Sequence, residues 1–185
     1  MISLHHGNIL DISCDVIVNA ANSSLMGGGG VDGAIHRAAG PELKEACKPL
    51  APCPTGEVRV TGGFRIEGRL IFHTVGPIWR GGQEGEAELL AACYRHCLDE
   101  LVARELRSIA FPAISTGAYG FPVNEAAGIA VRACRAMAER HPVSMQRTQT
   151  RSPQPSIPDS QAVRRAMVSR WGARSRPCAS SQPGL

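Results

Sequence analysis

Asn22 closes an apolar run, Val16-Ile17-Val18-Asn19-Ala20-Ala21-Asn22, and four glycines, Gly27 to Gly30, follow a few residues later. Val31 and Asp32 come next, then Gly33-Ala34-Ile35-His36. Each residue type suits one task. Successive glycines let backbone N–H groups approach a ligand with no Cβ in the way. Such a loop at a helix start suits a phosphate or diphosphate. The Asn22 carboxamide can hydrogen-bond sugar hydroxyls. Asp32 stands where a carboxylate can orient or deprotonate a water. A strand, an amide, a glycine cradle and a carboxylate in so short a stretch read as a nucleotide-sugar site. A glycine-rich loop by itself is common and does not carry that reading.

The elements that must hold these groups can be read along the chain. A second glycine loop, Pro112-Ala113-Ile114-Ser115-Thr116-Gly117-Ala118-Tyr119-Gly120, also follows a short apolar strand and precedes a helix. Two strand–loop–helix units set two loops at the carboxyl ends of parallel strands, where open α/β sheets bind ligands. Alternation and composition predict strands over residues 2–5, 16–19, 58–61, 70–75 and 108–111. Apolar residues at helical spacing predict helices over 33–39, 42–50, 86–105 and 124–139, the last with Asn124 as its N-cap. That order predicts an α/β fold, a mainly parallel sheet with helices on both faces.

With both loops in place, the chain resembles the macrodomain family, in its MacroD type. The likeness rests on Val18 to Asn22, Leu25 to His36, Cys53-Pro54-Thr55-Gly56, His73-Thr74-Val75-Gly76-Pro77 and Pro112 to Gly120. These segments stand in the family's order and span residues 2 to 142. The resemblance implies a three-layer α/β/α domain with a mixed, mostly parallel sheet. It implies an ADP-ribose-binding hydrolase that removes acetyl from O-acetyl-ADP-ribose, or ADP-ribose from acidic side chains. ADP-ribose or O-acetyl-ADP-ribose is then the ligand, with ADP-ribosylated proteins as partners and no metal or cofactor.

Carried over residue by residue, Asn8 and Ile9 serve the adenine. The family usually has Asp at the place of Asn8; an amide oxygen still accepts from the adenine amino group, without charge assistance. Asn22 resembles the residue that hydrogen-bonds the distal ribose. Gly30, Val31 and Asp32 line that ribose and the diphosphate. Ser115, Thr116, Gly117, Ala118 and Tyr119 supply backbone donors to the diphosphate, and the Tyr119 ring covers the distal ribose. The catalytic pair is Asp32 and Asn22, with Asp32 activating a water that attacks an acetyl carbonyl or the anomeric carbon. His36 and His73 read as packing or capping groups, and Asn19 as a structural amide securing the loop.

Length and composition agree with one compact domain. The chain has 185 residues, enough for a sizeable core. No apolar run is long enough to span a bilayer, and the first residues lack the layout of a secretory signal. Seven cysteines occur with no C-x-x-C pair, which predicts reduced core thiols in a cytoplasmic protein. Charge is split. Residues 1–142 hold thirteen Lys and Arg against fifteen Asp and Glu, a net of −2. Residues 143–185 hold seven Arg against one Asp, a net of +6. The basic excess thus belongs to the end of the chain, and the domain itself shows no basic face for nucleic acid.

The pattern breaks near Pro142, as a frame shift or a recruited tail would break it. Residues 1–142 read as the macrodomain, and 143–185 as an Arg/Ser/Pro-rich, disordered tail atypical of the family. A short helix over 160–171 is an option within it. The family's last strand, and the adenine-stacking aromatic beyond it, are expected to be missing. Three functions stay open: the hydrolase, a non-catalytic ADP-ribose reader, and a C-terminally altered macrodomain with reduced activity. Presence of both Asn22 and Asp32 favours the hydrolase over the reader.

Overall fold

The computed structural model describes residues 1–141 and the backbone of residues 165–170. In chain order the elements are β1 (Ile2–His6), β2 (Val16–Ala20), α1 (Gly30–Ala39), α2 (Pro41–Cys47), β3 (Val58–Gly62), β4 (Leu70–Thr74), α3 (Glu86–Ala103), β5 (Ser108–Pro112), α4 (Val123–Arg140) and β6 (Arg165–Arg170). One six-stranded sheet runs β1-β6-β5-β2-β4-β3. β2 pairs in parallel with both β4 and β5, and the outer pairings β1/β6, β5/β6 and β3/β4 are antiparallel. Helices cover both faces, giving the α/β/α layering expected from the sequence.

The central position of β2 explains its composition. A strand covered on both faces reads as a continuous apolar run rather than an alternating one. Side chains still alternate between faces. Val16, Val18 and Phe72 pack into one core with Leu90, Cys97 and Leu98 of α3 and Ile129 and Cys134 of α4. Ile17 and Ile71 pack into the other, with Ile35 of α1 and Leu43 and Cys47 of α2. Asn19 and His73 lie two residues beyond Ile17 and Ile71, so they share that second face. The parallel register sets them directly side by side. Two polar side chains therefore sit, fully buried, beneath α1 at the carboxyl ends of the central strands.

Helix α1 begins at Gly30, earlier than the expected start at 33, and Asp32 falls in its first turn. A carboxylate there is favoured by the helix dipole. Helix α4 begins at Val123 with Pro122 in the cap position, so Asn124 lies inside the helix and does not cap it.

The expectation of a missing last strand is overturned. Residues Arg165–Arg170 form β6, which lies between β1 and β5 and pairs over five residues with each. The segment expected as an optional helix over 160–171 is thus a strand where it is described. The reason is tertiary. β1 and β5 each present a row of backbone N–H and C=O groups that need partners, and six residues of modest apolarity suffice when both neighbours supply the ladder. The rest of the expected disordered tail, and Trp171, lie outside the described residues.

Candidate functional site

Two loops at the carboxyl ends of β2 and β5 face each other across a cleft of about 320 Å³. Its walls are Ala20, Ala21, Asn22, Gly29, Gly30 and Val31 on one side, with Gly76, Ile114, Ser115, Gly117, Ala118 and Tyr119 on the other. Seven of the residues expected at the site (Asn22, Gly30, Val31, Ser115, Gly117, Ala118, Tyr119) are brought together here. Thr116 lies in the same loop, but its hydroxyl turns back to the Ala113 carbonyl at 3.0 Å. Asn8 and Ile9 do not line the cleft. The Asn8 Oδ1 accepts from the Leu10 N–H at 3.2 Å and caps a short 3₁₀ turn, while the Ile9 side chain is buried in the core.

Backbone geometry suits an anion. Gly30, Val31 and Asp32 open α1, and the first N–H groups of a helix have no intrahelical acceptor; among the described residues, those of Gly117, Ala118 and Tyr119 have no backbone acceptor. A helix start and a turn with unpaired donors, opposed across one cleft, form a site for a phosphate or diphosphate. The second loop is well braced. The Phe121 N–H donates to the Ser115 carbonyl at 3.0 Å, and the Trp79 N–H donates to the Tyr119 carbonyl at 2.8 Å. The Trp79 ring packs on Phe121 with centroids 4.6 Å apart. Gly76 allows close approach, because a Cβ there would collide with the Ser115 hydroxyl and stand 2.6 Å from the Ile114 methyl. The Ser115 Oγ is buried in the wall with no protein partner among the described residues.

The first loop is held by Asn22. Its Nδ2 donates to the Gly27 carbonyl at 3.0 Å, and its Oδ1 accepts from the Ser24 hydroxyl at 2.6 Å. Asn22 thus shapes the loop as well as lining the cleft. Asp32 lies behind the cleft lining and is only 4% exposed. Its Oδ1 accepts from the Asn19 Nδ2 at 2.7 Å and lies 3.4 Å from the His36 Nε2. Its Oδ2 points toward the loop. A Cβ on Gly28 would stand 3.1 Å from that oxygen and 3.4 Å from the Asn22 Nδ2. Burial raises the Asp32 pKa above the ordinary carboxylate value, opposed by the Asn19 hydrogen bond and the nearby His36. A carboxylate destabilised by burial is a better proton acceptor than a solvated one.

Behind Asp32 the polar chain continues. The Asn19 Nδ2 also lies 3.1 Å from the His73 Nδ1, and the His73 Nε2 lies 2.9 Å from the Thr61 hydroxyl. Burial lowers the His73 pKa to about 3, with His36 adding to the effect, so the ring is neutral at ordinary pH. Asn19 is thus a buried amide joining Asp32 to His73, in place of the expected loop support. The signal for this chain was two polar residues ending otherwise apolar central strands. Its meaning lay in the register that pairs those strands.

The sequence profile of the macro domain matches residues 18–130. This chain belongs to the macro domain family. It is 62% identical over 128 residues to a macro domain-containing protein of Ralstonia nicotianae, covering 69% of this chain and 75% of that one. It is 58% identical over 130 residues to a Salmonella newport protein named O-acetyl-ADP-ribose deacetylase, covering 68% and 73%. The fold is similar to that of the Trypanosoma brucei macrodomain solved in complex with ADP-ribose, with a TM-score of 0.69 and 44% identity, covering 74% of this chain and 57% of that one. Both macro-domain loops fall inside the matched residues. Among the described residues, no helix is long and apolar enough to cross a membrane. Buried Cys47, Cys53, Cys93 and Cys97 have thiols raised in pKa by that burial.

Proposed function

We propose that this macro domain binds ADP-ribose and hydrolyses O-acetyl-ADP-ribose, or the ester between ADP-ribose and an acidic side chain. The observation that carries the proposal is the Asp32 carboxylate, held through Oδ1 and turned through Oδ2 toward the glycine loop beside Asn22. The diphosphate lies between the first turn of α1 and the Ser115–Tyr119 loop, against its Gly117–Tyr119 amides. The distal ribose lies against Asn22, Gly30 and Val31, under Tyr119. The adenine lies toward Asn8 and the Ile9 backbone. Identity to a relative named as a deacetylase, and likeness to a macrodomain solved with ADP-ribose, support this reading.

In the deacetylation step Asp32 Oδ2 takes a proton from a water between the loop and the ribose. The hydroxide adds to the acetyl carbonyl carbon, and the bond from that carbon to the ribose oxygen breaks. The ribose oxygen leaves with the proton returned from Asp32, giving acetate and ADP-ribose. Positioning by the diphosphate contacts contributes alongside the base.

Burial of Asp32 behind the cleft lining favours a second reading, ADP-ribose binding without turnover. One experiment separates the two. Isothermal titration with ADP-ribose, paired with product analysis on O-acetyl-ADP-ribose, should show both heat and acetate release. Heat without acetate supports the reader, and no heat from folded protein overturns both.

A further inference from the structure

A buried amide faces a choice at Asn19. Its Nδ2 serves two acceptors at once, the Asp32 Oδ1 at 2.7 Å and the His73 Nδ1 at 3.1 Å. Its Oδ1 is buried with no partner among the described residues. An orphaned buried carbonyl is costly, so something must hold the amide in this orientation. Rotated by half a turn, the amide would set Oδ1 against the carboxylate and against His73. That arrangement avoids repulsion only if Asp32 carries a proton and His73 carries its proton on Nδ1, and it leaves the NH₂ where Oδ1 now finds no partner. The two orientations therefore require different protonation of Asp32. With the Asn19 NH₂ toward it, the His73 Nδ1 must accept, which leaves the ring proton on Nε2, 2.9 Å from the Thr61 hydroxyl.

The geometry points to His73 as a positioning residue: its imidazole, tied to Asn19 on one side and Thr61 on the other, holds the Asn19 NH₂ toward Asp32 and so keeps that carboxylate in its proton-accepting state. The imidazole acts only through Asn19, and its neutrality at ordinary pH is what lets Nδ1 accept. Other groups face the pair. His36 of α1 lies 3.4 Å from Asp32, with its ring 6.4 Å from that of His73. Cys47 of α2 lies with its sulfur 3.8 Å from the His73 Nε2, and its thiol is raised to about 11, so it stays neutral. Neither supplies an acceptor to the Asn19 amide, so beside Asp32 itself His73 is the neighbour that fixes its orientation among the described residues.

Nitrogen-15 NMR of the histidine-labelled full chain reads the tautomer directly. From about pH 5 to about pH 8, the His73 ring should show an unprotonated Nδ1 and a protonated Nε2. A protonated Nδ1 overturns the proposal. Carbon-13 titration of the aspartate carboxyls in the ligand-free protein reads the consequence. His73→Leu should raise the Asp32 midpoint by about one pH unit or more. His73→Asn, which keeps an acceptor near the place of Nδ1, should return it close to the parent value. Should His73→Leu fail to fold, Thr61→Val removes only the acceptor for Nε2–H and should raise the same midpoint. An unchanged midpoint in the folded variant overturns the proposal.

The catalytic consequence rests on the hydrolase reading. The acid limb of O-acetyl-ADP-ribose hydrolysis should move with the NMR midpoint in each variant. A shifted midpoint in a protein with no turnover removes the hydrolase reading and keeps the positioning role. Turnover whose acid limb ignores the variants keeps the hydrolase and removes the positioning role.

Discussion

At the scale of single residues, Asp32 and His73 carry opposite perturbations from the same cause. Burial disfavours charge, so the carboxylate pKa rises and the imidazole pKa falls. Losing a positioned base costs about two to four orders of magnitude in rate. Asp32→Ala should therefore lower acetate release by that much, while ADP-ribose affinity by titration stays closer to the parent, since the diphosphate donors lie on the backbone. His73 predicts a pH dependence of stability. Its pKa is about 3 in the folded protein against 6.5 when unperturbed. The unfolded chain thus binds the proton first as pH falls. This contribution is complete above the unperturbed value and drains as pH drops toward the folded one. At pH 5 the loss from this group is about 2 kcal/mol. Urea unfolding of the parent and of His73→Asn at pH 7 and pH 5 should show the steeper loss in the parent.

At the scale of elements, the second loop depends on a brace outside the cleft. Glu86, in the first turn of α3, is 2% exposed, and its carboxylate accepts from the backbone N–H groups of Arg80, Gly82 and Glu84. Despite the opposing effect of burial, those donors and its own N–H hold its pKa down to about 2. The segment so folded delivers Trp79 to Phe121 and to the Tyr119 carbonyl. A depressed carboxylate stabilises the fold above its unperturbed pKa of 4.5, and the contribution is lost as pH falls through about 2. Glu86→Gln should lower the melting temperature at neutral pH. The gap to the parent should narrow as pH falls through that window. Trp79 fluorescence should report a loosened loop in the variant, and weaker ADP-ribose binding should accompany it.

At the scale of the whole molecule, β6 joins the first strand to the central ones. It comes from beyond the boundary that composition sets at residue 142, yet its backbone pairs with five residues of β1 and five of β5. Removing residues 143–185 would leave the facing edges of β1 and β5 unpaired, an arrangement prone to aggregation. The truncated chain 1–142 should melt at a lower temperature and aggregate more readily than the full chain, measured by calorimetry and light scattering. Val168→Pro tests the same point within the full chain. Proline cannot donate to a ladder and is poorly tolerated in a strand paired on both sides. A marked fall in melting temperature is expected, and an unchanged one would mean that the β6 pairing contributes little.

The sequence by itself determined the alternation of strands and helices, the two glycine loops and the family. Those signals are local: apolar runs, helical spacing, and glycines where the backbone must approach a ligand. It also placed Asn22 and the Gly117–Tyr119 loop in one site, since both follow parallel strands. Tertiary structure decided what local pattern cannot encode. The parallel register of β2 and β4 sets Asn19 beside His73, which turns two isolated polar residues into one buried chain behind Asp32. A 3₁₀ turn takes the Asn8 side chain and a core takes that of Ile9, so neither side chain forms the cleft wall. The strand at Arg165–Arg170 is weak in local propensity, and only the unmet hydrogen bonds of its two neighbours select that conformation for it.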